Sequence, residues 1–166
     1  MRQFYDTFPT PAGDFSVALD ANGAVLATAF GGLLELRERF AADEMVRDPV
    51  RTAEVRRELE EYFASTRQRF TVKFSPSGTP FQLNVWAALR KIPFGSTRTY
   101  GELAAEIGNP SAARAVGRAN GSNPICVIVP CHRVIGADGG LTGFAFGDDI
   151  KRWLLAHEGV SSPALV

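Results

Sequence analysis

The chain has 166 residues, of which 45% are hydrophobic and 22% are charged, and its 18 basic and 18 acidic side chains leave no net charge. This length suits one domain or two small ones with a real core, and the neutral balance argues against a generic nucleic-acid coat protein. No apolar stretch approaches the roughly 20 residues of a membrane span, and the N-terminus lacks a basic-then-apolar signal pattern. Two cysteines outside any disulfide-dense pattern agree with a reducing, intracellular location.

The N-terminal half reads as a small α/β domain. Apolar and polar residues alternate through 4–30 around Asn22-Gly23, which predicts an antiparallel hairpin because Asn-Gly supplies the positive φ of a tight turn. A helix is expected from about Leu33 to Met45. A second helix is indicated by apolar residues at helical spacing, namely Val55, Leu59, Tyr62 and Phe63. A further strand is expected at Phe70, Val72 and Phe74.

The segment 75–80 combines Pro, Gly and Ser, which oppose both helix and sheet, so we place a domain boundary there. The predicted domains are 1–77, mixed α/β, and 78–166, mostly helical. A helix beyond the boundary is indicated by one apolar face, made of Phe81, Val85, Trp86 and Leu89. It is expected to end before Gly95, because Pro93 disfavours a helical residue before it.

Thr99 and Glu102 have the spacing of a capping box, which predicts a helix from about Tyr100 to Ile107. After a turn at 109–111, residues 112–120 are mostly small, with arginines projecting from them, and predict a second helix. The two helices together predict a helix-turn-helix. Tight packing inside the domain is the alternative explanation for so many small residues.

The apolar run 125–129 ends at Pro130 and predicts a short buried strand that leaves Cys131 on a turn. A thiol with a pKa of about 8.5 is mostly protonated near neutral pH, so a nucleophilic Cys131 needs a neighbour that favours the thiolate. His132 and Arg133 are candidates. Because consecutive side chains of an extended segment point to opposite faces, His132 would reach the sulfur through a water or a bend. A buried, inert thiol is the alternative.

Near the C-terminus, glycines bracket residues 142–147, which indicates a lid or pocket wall. An amphipathic helix is then indicated by Ile150, Trp153, Leu154 and His157. We expect Asp148 or Asp149 to cap it and Gly159 to end it. Residues 79–137 carry six basic and two acidic side chains, a balance that suits phosphate groups but also an ordinary solvated surface.

These motifs together resemble the methylated-DNA–protein-cysteine methyltransferases, also called O(6)-alkylguanine-DNA alkyltransferases. The resemblance covers roughly residues 78 to 160, whereas 1–77 match only in general pattern. It rests on Gly78-Thr79-Pro80-Phe81-Gln82, Tyr100-Gly101-Glu102-Leu103-Ala104, Ala113-Arg114-Ala115-Val116-Gly117, Asn123-Pro124, Pro130-Cys131-His132-Arg133-Val134 and Trp153-Leu154-Leu155-Ala156-His157-Glu158-Gly159.

The resemblance implies DNA repair by one irreversible transfer of an alkyl group from the O(6) position of guanine to Cys131. The damaged base would be flipped out of double-stranded DNA through the minor groove, because a stacked base cannot be reached. No cofactor, no metal and no membrane partner is implied. The protein would act as a monomer in the cytoplasm, close to the nucleoid, or in the nucleus of a eukaryote.

The same resemblance implies roles for individual residues. Cys131 would be the nucleophile, with His132 as its base through a water and Glu158 orienting the imidazole. Asn123 would brace the cysteine turn, and the Tyr100 hydroxyl would donate to the guanine. DNA contacts are implied for Ser111, Ala113, Arg114, Ala115, Gly117 and Arg118, with Arg114 filling the place of the flipped base. A substrate pocket is implied at Trp86, Pro130, Val134, Phe144 and Ala145, and the backbone carbonyls of Cys131 and Val134 would accept from the guanine amino group.

Two departures from the family pattern stand out. The family commonly has Tyr where this chain has Phe144, so that hydroxyl is missing. Some relatives carry a zinc set in the N-terminal half, but this chain has no Cys or His before residue 126.

Other classes were weighed on the residues alone. Zinc binding by Cys126, Cys131, His132 and His157 is disfavoured, because zinc ligand pairs normally sit two to four residues apart on a shared turn. A cysteine hydrolase would use Cys131 with His132 or His157, but needs an oxyanion hole and repeated turnover. A non-catalytic helix-turn-helix DNA binder would need no reactive thiol.

Overall fold

A computed structural model describes residues 2–42, 44–141 and 143–160 of the chain. The chain divides into two compact units, Met1–Ser77 and Gly78–Val166. The first unit holds a four-stranded sheet and the second is mainly helical. The mixed α/β class predicted from the sequence is confirmed.

The sheet of the first unit has the strand order β3-β2-β1-β4. Its strands are β1 Arg2–Thr10, β2 Gly13–Leu19, β3 Val25–Phe30 and β4 Glu44–Arg47. β1 and β3 flank β2 in antiparallel pairs, and β4 pairs with β1 in parallel. The predicted hairpin is confirmed: β2 and β3 are joined through Gly23 at φ +84°, and the Asp20 carboxylate accepts the N–H groups of Asn22 and Ala24.

The core of this unit lies between the sheet and a helix, α2, which spans Ala53–Phe63. The four apolar residues predicted for α2 are all buried, and Phe63 meets Phe15 and Phe30 edge-on. Such edge contacts suit aromatic rings, whose edges are positive and faces negative.

Two predictions for the first unit are wrong. The first helix, α1, spans only Leu33–Arg39, because the chain becomes extended at Phe40 and Met45 pairs with Gln3 in the sheet. The backbone groups of the β1 edge offer hydrogen bonds that a continued helix would forgo. The stretch around Val72 is not a strand, since it forms one bridge, between Val25 and Phe74.

The second unit contains four helices and two short strands among the described residues. They are α3 Pro80–Leu89, β5 Arg98–Thr99, α4 Tyr100–Glu106, α5 Ala113–Gly121, β6 Val134–Ile135 and α6 Asp148–His157. The predicted capping box is confirmed, because the Thr99 hydroxyl accepts from Glu102 N–H and the Glu102 carboxylate accepts from Thr99 N–H. Helices α4 and α5 form the predicted pair around residues 107–112.

Two predictions for the second unit are also wrong. Residues 125–129 are buried but form turns rather than a strand, with Val127 in the left-handed region at φ +72°. The short strand β6 follows the cysteine turn instead, and pairs in parallel with β5. Helix α6 is preceded by Gly147 at φ +95°, so neither Asp148 nor Asp149 is its cap. Over the residues that the structure describes, no helix is both long and apolar enough to cross a membrane.

Candidate active site

Cys131 begins a single 3-10 turn, Cys131–Arg133, directly after Pro130. The Cys131 N–H donates to the Val129 carbonyl at 2.8 Å, and the Val134 N–H donates to the Cys131 carbonyl. The residue is 5% exposed. Two backbone hydrogen bonds therefore fix the conformation of the turn at Cys131, and only a small part of the residue is accessible to solvent.

The turn brings His132 and Arg133 onto one carboxylate, that of Glu158 at the end of α6. His132 Nε2 lies 2.7 Å from Glu158 Oε2, the pair that the family resemblance implied. Arg133 grips the same carboxylate with Nε at 2.7 Å from Oε1 and Nη2 at 3.0 Å from Oε2. Its Nη1 donates to the Ile92 carbonyl at 2.7 Å. Arg133 is thus committed to Glu158, which the sequence did not reveal.

Burial and charge determine the protonation of this cluster. Burial alone would raise the pKa of Glu158, but the charges and hydrogen bonds of His132 and Arg133 hold it well below the ordinary range. Burial lowers the pKa of His132, which Glu158 opposes and the charges of Arg133 and Lys151 reinforce. A neutral imidazole that donates from Nε2 to Glu158 leaves Nδ1 as an acceptor. His132 Nδ1 is buried and bonds no other described residue, so it is the atom available to a water.

Lys151 is a second buried cation that sequence reasoning missed. Its side chain is fully buried, and Nζ donates to the Val134 carbonyl at 2.6 Å. Burial lowers its pKa to about 8, against the opposing charges of Cys131 and Asp148. The available signal was its position three and four residues before Leu154 and Leu155, on the buried face of α6.

Asn123, to which the resemblance gave the role of bracing the cysteine turn, forms hydrogen bonds with the loop before the cysteine. Its side-chain oxygen accepts from the Ile125 N–H at 3.1 Å, and Nδ2 donates to the Val129 carbonyl at 2.9 Å. The residue is 2% exposed. These two bonds hold the two ends of the 125–129 segment.

Tyr100 begins α4 and lies against α5. A Cβ atom at Gly117 would be 3.7 Å from its ring, and one at Gly143 would be 2.6 Å from its hydroxyl oxygen. Only glycine fits at Gly143, which also has φ +89°. Burial raises the pKa of Tyr100, as does the charge of Cys131, while a hydrogen bond with Asn120 lowers it. The structure thus brings Tyr100, Asn120 and Cys131 together.

The residues predicted to line the substrate pocket differ in their burial and in their contacts. Pro130, Val134 and Phe144 are buried, whereas the Ala145 side chain is exposed. Phe144 meets Phe146 edge-on at 5.7 Å between ring centroids. Trp86 lies beneath α5 instead, because its indole N–H donates to the Ala119 carbonyl at 2.8 Å and its ring would clash with any side chain at Gly78.

The residues predicted to bind DNA lie on or just before α5. Ser111, Arg114 and Arg118 are exposed, while Ala113, Ala115 and Gly117 are half-buried. The helix buries its other face through Val116, Ala119 and Asn120. No three His, Cys, Asp or Glu side chains among the described residues are grouped so that they could hold a metal ion.

Fold and site together define an α/β protein with a helix-turn-helix beside a buried cysteine, histidine and glutamate. The family model of the 6-O-methylguanine DNA methyltransferase, DNA binding domain, matches residues 80–160. A methylated-DNA–protein-cysteine methyltransferase of Methanosarcina acetivorans is 49% identical over 156 residues, which are 94% of this chain and 98% of that protein. The chain therefore belongs to the methylated-DNA–protein-cysteine methyltransferase family and is an enzyme of that type.

Further relatives agree over nearly the whole chain. The methylated-DNA–protein-cysteine methyltransferase of Mycobacterium bovis is 45% identical over 160 residues, which cover 96% of this chain and 94% of that protein. The crystal structure of Mycobacterium tuberculosis OGT in complex with DNA superposes with a TM-score of 0.85 at 40% identity. That match covers 98% of this chain and 97% of the other.

Proposed function

We propose that this protein repairs DNA by moving an alkyl group from the O(6) position of guanine onto Cys131, once per chain. The observation that carries this proposal is the 2.7 Å contact of His132 Nε2 with Glu158, which leaves His132 Nδ1 as an acceptor next to the cysteine turn. The family membership of the chain supports the reaction class. The roles that we propose for individual residues rest on the family resemblance and on the contacts of each side chain.

The cysteine is activated by proton removal. A water between the thiol and His132 Nδ1 carries the thiol proton to the imidazole, and Glu158 stabilises the imidazolium that forms. The thiolate attacks the alkyl carbon, so that an S–C bond forms while the C–O(6) bond breaks. The guanine keeps the electron pair of that bond. Because the product is a thioether, Cys131 is not regenerated and the protein acts once.

The departing guanine must take up a proton. Tyr100 is the donor that we assign, because its hydroxyl lies in one cluster with Asn120 and Cys131 and a phenol carries its proton near neutral pH. The protons balance: His132 takes up the one that the thiol loses, and Tyr100 gives up the one that the guanine gains. Solvent restores both groups.

The partner that we propose is double-stranded DNA containing alkylated guanine. Arg114 is exposed on α5, beside the small residues Ala113, Ala115 and Gly117, which allow the helix to approach the minor groove closely. Arg114 would fill the place of the flipped base, while Ser111 and Arg118 contact phosphates. We further propose that the protein acts as a monomer in the cytoplasm, or in the nucleus of a eukaryote, where the DNA lies.

The alkyl group is received by an apolar pocket. Pro130 and Val134, which flank the cysteine turn, and Phe144 are buried, and we assign them as the walls of the pocket, with the Ala145 backbone near the alkylated oxygen. Phe144 offers only a ring face, so no hydroxyl competes with Tyr100 as donor. The Cys131 carbonyl already accepts from Val134 N–H and Asn120 Nδ2, so a guanine amino group would have to displace one of these bonds.

The deciding experiment exposes the protein to duplex DNA containing O(6)-methylguanine and analyses its tryptic peptides by mass spectrometry. We expect one methyl group per chain, on the Cys131 peptide. Cys131→Ala should take up no methyl group yet bind DNA nearly as well, whereas Cys126→Ala, which alters the other buried cysteine, should still be methylated. A methyl group on Cys126, or release of more than one methyl group per chain, would contradict the proposal.

A further inference from the structure

We infer that Asn120 is a positioning residue for alkyl transfer, which links α5 to both the Cys131 turn and the Tyr100 hydroxyl. This inference rests on the proposed function, because it assigns the part that Asn120 plays in that same reaction. It is carried by one buried side chain with an unusual set of hydrogen bonds.

Asn120 faces the interior of the second unit with 2% of its surface exposed. Its Nδ2 donates to the Cys131 carbonyl at 3.2 Å. Because a carbonyl oxygen can only accept, the nitrogen and not the oxygen of the amide must face Cys131. This contact therefore fixes the orientation of the whole amide group.

The same amide reaches the Tyr100 hydroxyl. The side chain of Asn120 forms a hydrogen bond with the Tyr100 hydroxyl, and this bond lowers the pKa of the phenol. Asn120 Oδ1 is buried and bonds no other described residue, which agrees with donation from Nδ2 rather than acceptance by Oδ1. One amide nitrogen thus serves two oxygens with its two protons, and it does not take the proton of the phenol.

An amide oxygen that is buried without a partner among the described residues costs free energy that a leucine of similar size would avoid. Its neighbours on the buried face of α5, Val116 and Ala119, are apolar, so an apolar side chain would suit this position. The amide is therefore explained by its two donated bonds, not by packing.

The two hydrogen bonds of Asn120 orient the groups that take part in the reaction. Donation to the phenol oxygen turns the Tyr100 proton away from α5, and donation to the Cys131 carbonyl holds the turn that carries the nucleophile. Asn120 thus positions both the proton donor Tyr100 and the nucleophile Cys131 from α5, the helix that we propose contacts the DNA. If α5 moves when DNA binds, Asn120 would transmit that movement to the Tyr100 hydroxyl and to the Cys131 turn.

The test compares Asn120→Leu with Tyr100→Phe and with the double variant, using single-turnover methyl transfer from O(6)-methylguanine duplex to Cys131. We expect each single variant to slow transfer about tenfold, and the double variant to be slowed clearly less than the product of the two losses, because part of the effect of Asn120 passes through Tyr100. If the two losses multiply, Asn120 does not act through Tyr100 and the inference is wrong.

A second readout separates positioning from folding. Phenolate absorbance, taken as the difference from the matching Tyr100→Phe variant, should show the pKa of Tyr100 rising in Asn120→Leu, because a bond that lowers it is lost. Val116→Ala, which removes only buried carbon atoms from α5, should reduce stability without moving that pKa. An unchanged pKa of Tyr100 in Asn120→Leu would overturn the inference.

Asn120→Ala provides the same measurements if Asn120→Leu does not fold. Wild-type protein is assayed in parallel by mass spectrometry of the Cys131 peptide. Absence of a methyl group there would overturn the proposed function itself. Normal methylation of the wild type together with unimpaired Asn120 variants would overturn only the role of Asn120.

Discussion

The imidazole of His132 lies 2.7 Å from the carboxylate of Glu158, and both side chains are closed to solvent. Glu158 is neutralised by Arg133 on its other side, so it remains ionised while it accepts from the imidazole. This arrangement selects the tautomer of His132 that keeps Nδ1 as a base.

Removal of the Glu158 charge should be costly. Glu158→Gln leaves Arg133 buried beside a neutral amide, and we expect a loss of about 3–5 kcal/mol in the free energy of unfolding, with slower methyl transfer. Urea denaturation measures the first and a single-turnover assay the second. The matched control is Glu106→Gln, which breaks the exposed pair with Arg98 and should cost no more than about 1 kcal/mol. Equal costs for the two variants would contradict the prediction.

Stability should fall as the pH is lowered below about 6.5. His132 has a lowered pKa in the folded protein, so the unfolded chain binds more protons there and acid favours unfolding. Glu158, whose pKa is also lowered, adds to this fall once the pH drops below about 4.3, the ordinary pKa of Glu. Urea denaturation at a series of pH values tests this, and His132→Gln should flatten the upper part of the fall. A His132→Gln curve parallel to that of the wild type would refute the assignment.

At alkaline pH the buried Lys151 should also make the free energy of unfolding depend on pH. Its pKa is about 8 in the folded protein and about 10.4 in an unfolded chain, so the unfolded state binds more protons between these values. Its contribution to stability should therefore rise with pH over this window. The measurement is the difference in unfolding free energy between wild type and Lys151→Met at each pH. A difference that does not change with pH would count against the lowered pKa.

The bracing of the cysteine turn by Asn123 can be tested separately. Asn123→Ala leaves the Ile125 N–H and the Val129 carbonyl without their side-chain partner, and should cost about 1–3 kcal/mol in unfolding free energy and slow methyl transfer. Asn109→Ala, at an exposed turn, is the control and should change neither quantity by much. An undisturbed transfer rate in Asn123→Ala would show that the turn does not depend on this clamp.

The role of Arg114 is tested with two substrates. Arg114→Ala should slow repair of O(6)-methylguanine in duplex DNA at least about tenfold, but leave the reaction with the free alkylated base nearly unchanged, because only the duplex needs a side chain in the vacated stack. Arg152→Ala removes an exposed arginine from α6 and serves as the control. Equal losses on duplex and free base would argue against a stack-filling role.

Local chemistry was sufficient to predict several elements of this protein. The capping box of Thr99 and Glu102 placed the start of α4, and Asn22-Gly23 placed the hairpin turn, because both signals act between residues close in sequence. The pairing of His132 with Glu158 was predicted only through the family resemblance, since 26 positions separate the two residues.

Local pattern was insufficient where distant groups compete for the backbone. The apolar run 125–129 has the composition of a strand, but two hydrogen bonds from Asn123 and backbone bonds within the segment fold it into turns. Met45 was predicted to end a helix, but it pairs with Gln3 at the edge of β1 and belongs to the sheet. An apolar run reports burial and not backbone shape, so such segments were misassigned.

The sequence by itself determined the fold class, the start of α4 and the motif that carries Cys131, because these depend on periodicity and on neighbours a few residues apart. Only the tertiary structure showed that Arg133 belongs to Glu158, that Lys151 holds the Val134 carbonyl, and that Asn120 joins α5 to the cysteine turn. These polar groups were buried by folding, and a buried polar group must take whichever partner the packing brings near, however far away in the chain.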